Sequence, residues 1–154
     1  MSKKANVILA GEGSPNIERC AEFLKADGCN VKIIEKDGRR LINTALIEKP
    51  DAVVMDAFMS SLDALSVLEE AGEELKKNKT LSFVLSSVEN PHFEEEALAA
   101  GADYYFLKPV DYSFVAERVV KMIKWNGKRD ENTRFSIKDN KELEIVISDI
   151  MRQI

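Results

Sequence analysis

Apolar residues along the chain gather into five short runs, and the segments between them carry apolar positions at helical spacing. Asn6 to Ala10 (NVILA), Val31 to Glu35 (VKIIE), Ala52 to Asp56 (AVVMD), Leu81 to Ser86 (LSFVLS) and Asp103 to Leu107 (DYYFL) have the length and composition of strands. In the third run neither face alternates to polar, so both faces are expected to be covered, as in a parallel sheet between helix layers. The second run is more polar and reads as an edge strand.

Between the runs, Ile17, Cys20, Ala21 and Leu24 mark a first helix, opened by Ser14-Pro15 and closed by Gly28. Leu41, Ala45 and Leu46 mark a second, closed before Pro50. Leu62, Leu65, Leu68 and Leu75 line a third, with Glu69, Glu70, Glu73, Glu74, Lys76 and Lys77 outward. A fourth begins at Pro91, is acidic at Glu94 to Glu96 and ends at Gly101. Asp111 caps a fifth, with Phe114, Val115, Val119, Met122 and Ile123 inward. Strands alternating with helices predict an α/β fold, a doubly wound five-stranded parallel sheet with flanking helices. From Asn126 to Glu142 the chain is polar, without apolar periodicity, and reads as a linker. Leu143 to Ile154 has the pattern of one more amphipathic helix.

Composition narrows the picture. The formal net charge is −5, with no basic face of the kind that binds nucleic acid. Two cysteines, Cys20 and Cys29, are too few for a disulfide scaffold and read as reduced thiols. No stretch has the length of a membrane span, and the expected location is the cytoplasm.

The candidate chemistry lies at strand ends. With the flavodoxin-like strand order 2-1-3-4-5, strands one, three, four and five are neighbours, and their C-terminal ends carry Glu12, Asp56, Ser86 and Lys108. Two carboxylates, a hydroxyl and an ammonium converging on one crevice suit phosphoryl transfer to a carboxylate, with Asp56 as nucleophile. A hard cation such as Mg²⁺ between Glu12 and Asp56 would cancel the repulsion between carboxylate and phosphoryl group. Lys108 would contact a phosphoryl oxygen, and Ser86 could donate to another. The bland counterpart is a lone buried Asp56–Lys108 salt bridge. Gly11-Glu-Gly13 after a strand also invites a dinucleotide-binding reading. Asn16 stands where its third glycine belongs, which weakens it. A small flavodoxin-like enzyme is compatible with the fold alone. His92, the single histidine, reads as a surface residue.

The chain resembles the receiver domains of two-component response regulators over about its first 125 residues. The resemblance lies in Pro50-Asp-Ala-Val-Val-Met-Asp56, Met59, Leu62-Asp63, Leu85-Ser-Ser87 and Gly101-Ala-Asp-Tyr-Tyr-Phe-Leu-Lys-Pro109. It implies a phosphoacceptor at Asp56, a hydroxyl switch at Ser86, an aromatic switch at Tyr105, a phosphate-binding lysine at Lys108 and a metal-binding backbone carbonyl at Phe58. It also implies a histidine kinase or phosphotransfer protein as donor, and a self-modifying acceptor rather than a turnover enzyme. Homodimerisation through helix four, strand five and helix five follows by analogy. Leu107-Lys-Pro-Val-Asp111 and the tail from Leu143 are similar to the sporulation-regulator branch of that family. The tail then matches the start of a DNA-binding domain, without a recognition helix, so no nucleic-acid binding is expected of this chain.

The sequence also departs from the family pattern. Where receivers usually carry two adjacent acids after strand one, it has Gly11 and Glu12. Ser60 replaces the usual proline after Met59, and Ala64 the usual glycine after Asp63. Metal binding is expected to survive but weaken, and the loop after Asp56 to loosen or change shape. A degenerate receiver, an interaction module without phosphate control, is the rival expectation.

Overall fold

Strand and helix alternate throughout the computed structural model, which describes residues 4–87 and 91–131. The order is β1 (Asn6–Ala10), α1 (Pro15–Ala26), β2 (Asn30–Ile34), α2 (Gly38–Glu48), β3 (Ala52–Asp56), α3 (Ala64–Lys77), β4 (Leu81–Ser86), α4 (Pro91–Ala100), β5 (Tyr104–Leu107) and α5 (Tyr112–Glu131). The chain divides into two units, Met1–Ile123 and Lys124–Ile154, and the whole sheet belongs to the first.

All four strand pairings are parallel, in the order β2-β1-β3-β4-β5. Alternate residues of each strand enter opposite cores, as the pleat requires. Val7, Leu9, Ala52, Val54, Phe83 and Leu85 pack with Ile17, Cys20 and Leu24 of α1 and Val115 and Val119 of α5. Ile8, Val53, Met55 and Val84 pack with Leu41 and Ala45 of α2, Val67, Leu68 and Leu75 of α3, and Ala97 of α4. This double covering explains the unbroken apolar runs. At the sheet edge, β2 keeps only Ile34 buried.

Local signals set the helix starts. Ser14 Oγ accepts from Ile17 N at 3.4 Å, with Pro15 in the first turn. Asp37 Oδ1 accepts from the amides of Arg39 and Arg40 at 3.0 and 3.1 Å. The Arg40 amide, foremost, holds the Asp37 carboxyl below its ordinary range. Asp63 Oδ1 caps α3 through Ser66 N at 2.8 Å.

Three expectations change. Leu62 precedes α3 rather than lining it, and Leu65 is half-buried. The inward face of α3 is built instead from Ala64, Val67, Leu68, Ala71, Gly72 and Leu75. α5 continues to Glu131, so residues 126–131 of the expected linker are helical. That stretch contains no proline, and its one glycine, Gly127, costs a helix only about 1 kcal/mol. The rest of the expected linker and the helix from Leu143 lie outside the described residues. Among the described residues, no helix is long and apolar enough to cross a membrane.

Candidate functional site

The sheet order brings the C-terminal ends of β1, β3, β4 and β5 to one rim. Asp56 ends β3 there, its side chain 14% exposed. Lys108 follows β5 immediately, and its Nζ is paired with Asp56 Oδ2. The other carboxylate oxygen, Oδ1, accepts from the backbone N–H of Phe58 at 3.1 Å. Both oxygens of Asp56 therefore face donors.

Ser86 ends β4 beside Asp56 and is fully buried. Its carbonyl accepts from Lys108 N at 2.7 Å, fixing the backbone that carries the lysine. Next to Lys108, a cleft of about 460 Å³ is lined by Asn16, Ser87, Pro109, Val110 and Tyr112. Tyr105 is half-buried on β5, and its hydroxyl is buried without a hydrogen-bond partner among the described residues.

Glu12 stands at the rim after β1, with its side chain exposed. Among the described residues its carboxylate forms no ion pair. Its amide and that of Gly11 both donate to Ile34 O, at 2.8 and 2.9 Å. Gly11 is buried, and a Cβ there would lie 2.6 Å from Ile17 Cγ1. The space of the missing acid is thus filled by hydrocarbon from α1.

One member of the cluster escaped the sequence reading. Lys36, on the β2–α2 loop, places Nζ 3.5 Å from Asp56 Oδ2. The signal was available: β2 neighbours β1, so its C-terminal end reaches the same rim. Backbone hydrogen bonds tie the loop after Asp56 to the β2–α2 loop. Ser60 N donates to Lys36 O at 3.0 Å, and Gly38 N and Leu62 N donate to Ser60 O at 2.9 and 2.8 Å. A proline at position 60 could not make the first of these bonds. His92 is a surface residue, 2.7 Å from Glu96 Oε1.

A family profile described as "Response regulator receiver domain" matches residues 7–120. The chain belongs to the response regulator receiver domain family. Among curated relatives, a protein-glutamate methylesterase/protein-glutamine glutaminase of Methanospirillum hungatei is 33% identical over 106 residues. The match covers 66% of this chain and 30% of that relative. A counterpart from Archaeoglobus fulgidus is 32% identical over 108 residues, again covering 66% of this chain and 30% of the relative. The chain therefore spans about a third of the length of these relatives. Among solved structures, a CheY-like response regulator receiver domain protein from Methanospirillum hungatei superposes with a TM-score of 0.73 at 16% identity. That match covers 82% of this chain and 99% of the other. The receiver domain of Francisella response regulator 1452 gives a TM-score of 0.64 at 23% identity, covering 79% and 98%. These likenesses carry the fold, and the family places this receiver domain in two-component signalling.

Receiver domains generally bind Mg²⁺ at the phosphorylation site. The residues of this chain fit such a cation poorly. Position 11 offers no side-chain oxygen, and Asp56 already faces two ammonium groups and an amide N–H. Glu12, Asp56 and the Phe58 carbonyl remain as candidate donors. Glu12, Asp56, Lys36 and Lys108 carry two negative and two positive charges, so the lysines offset the pull of the carboxylates on a dication.

Proposed function

We propose that this domain accepts a phosphoryl group on Asp56 from a histidine kinase or a phosphotransfer protein. One observation carries the reading: Lys108 is paired with a nearly buried Asp56 at the end of the central strand of a receiver fold. The acyl-phosphate O–P bond forms on Asp56 as the donor's P–N bond breaks, its electron pair staying on nitrogen. Lys108 binds a phosphoryl oxygen, and Ser86 donates a hydrogen bond once the group is in place. The domain acts as a self-modifying switch rather than by turnover, and its output is a change of protein contacts.

The finer output is proposed on sequence grounds. Leu107-Lys-Pro-Val-Asp111 and the tail from Leu143 support a sporulation-type transcriptional regulator. Exposed Leu98 on α4 and Leu107 on β5 support homodimerisation through the α4–β5–α5 face. The second reading, a receiver without phosphate control, is favoured by Ile17 filling the space beside Gly11. Transfer from a phosphorylated histidine-containing phosphotransfer domain separates the two. The proposal expects label on this chain that hydroxylamine removes and Asp56→Asn abolishes. A folded chain that takes no label supports the phosphate-independent module.

A further inference from the structure

We infer that Lys36 is a second phosphoryl-binding cation at Asp56 and supplies charge that a divalent metal otherwise brings to such a site. The inference rests on the phosphoacceptor reading of Asp56.

Lys36 and Lys108 approach the same atom, Asp56 Oδ2, from the ends of two different strands. The backbone carrying Lys36 is fixed to the loop that follows Asp56. Its carbonyl accepts from Ser60 N at 3.0 Å, and Asp37 bridges to Ser60 in a parallel register. Gly38 makes this approach possible, since a Cβ there would lie 2.1 Å from the Leu62 carbonyl oxygen. Lys36 therefore reaches Asp56 from an anchored stem, and its half-exposed side chain keeps room to follow an arriving group.

At Gly11 the acid that would complete a divalent site is absent, and a Cβ there would lie 2.6 Å from Ile17 Cγ1. A site with three acids and one lysine carries a net charge of about −2 and needs a dication before it admits a phosphoryl group. Here two ammonium groups already balance Asp56 and Glu12. With acetyl phosphate as donor, Asp56 Oδ2 attacks phosphorus between the two lysines. The new O–P bond forms, the acyl O–P bond breaks, and acetate leaves with the electron pair. No proton or electron carrier is required.

The test measures acetyl phosphate labelling of the full chain by intact mass, in Mg²⁺ and in EDTA. Wild type, Lys36→Gln and Lys36→Arg are compared. Labelling of wild type persists in EDTA. Lys36→Gln slows the metal-free reaction by about 10- to 100-fold, the range given by losing a hydrogen bond to a charged group, and Lys36→Arg retains it. Labelling of all three proteins in Mg²⁺ alone overturns the role of Lys36 and leaves the phosphoacceptor reading standing. Faster metal-free labelling of Lys36→Gln overturns it too, marking Lys36 as a brake on the nucleophile. Absence of label under both conditions overturns both readings.

Discussion

The ring of Phe58 stacks on that of Phe93, with centroids 6.3 Å apart and planes inclined at 29°. Phe58 is also the residue whose N–H holds Asp56 Oδ1. Phe93, on α4, meets Tyr105 at 6.2 Å. A line of rings thus joins the loop after Asp56 to the tyrosine expected to switch.

Phe93→Leu keeps apolar bulk and removes both ring contacts. It is expected to leave Asp56 labelling unchanged and to lower stability by about 1–3 kcal/mol, the worth of two aromatic pairs. Phosphorylation-induced NMR shifts at the Tyr105 amide should shrink. Full-sized shifts in the variant would show that these rings do not carry the coupling.

Gly11→Asp does not simply restore the missing acid, because its Cβ overlaps Ile17 Cγ1. Overpacking of this kind costs about 1–3 kcal/mol. In urea denaturation, Gly11→Asp combined with Ile17→Ala should lose less stability than the two single changes added, by about 0.5–3 kcal/mol. Strict additivity would mean that the two positions do not share the space.

Ser60→Pro reinstates the residue usual in receivers but removes the N–H that donates to Lys36 O. The lost bond is worth about 0.5–1.5 kcal/mol. The same change frees the Lys36 loop, so EDTA-resistant labelling should fall with it. Unchanged urea midpoint and labelling would show that the Ser60 N–H contributes nothing to either.

Cys20 is buried on the inner face of α1, and burial pushes its thiol from 9.0 up to about 12. The folded state therefore holds the proton where the unfolded chain has released it. Stability is unaffected by this group below about pH 9. It then falls by up to about 1.4 kcal/mol per pH unit until the folded thiol ionises. Urea midpoints measured between pH 8 and pH 10.5 should show that decline, and Cys20→Ala should flatten it. The native thiol should also resist alkylation at pH 8.

The fold was legible because each strand of the doubly covered sheet is a run that cannot be mistaken for a helix of ordinary length. Errors fell at the ends, where β2 lies one residue earlier, β5 starts one residue later and α5 continues past Trp125 through charged residues that suit a helix. Asp56, Ser86, Glu12 and Lys108 follow from strand ends and sheet order alone. The same order brings the end of β2 and Lys36 to the same rim, but an edge strand with a polar pattern draws no attention to the residue after it. The Lys36 contact also depends on side-chain reach across β1. Nor does a glycine in a sequence reveal what fills the space it leaves, as Ile17 does at Gly11. Arg118 was equally hidden. An arginine in a helix reads as outward, yet it is buried with its guanidinium 4.7 Å from the centre of the Phe114 ring.

The central claim is that Asp56 accepts a phosphoryl group. Its most direct test is intact mass after incubation with acetyl phosphate, wild type beside Asp56→Asn and Lys108→Ala, with circular dichroism to establish that all three are folded. The account predicts one phosphoryl adduct on wild type, none on Asp56→Asn and a strongly reduced yield on Lys108→Ala. A folded wild type without an adduct, or an adduct that survives Asp56→Asn, would contradict it.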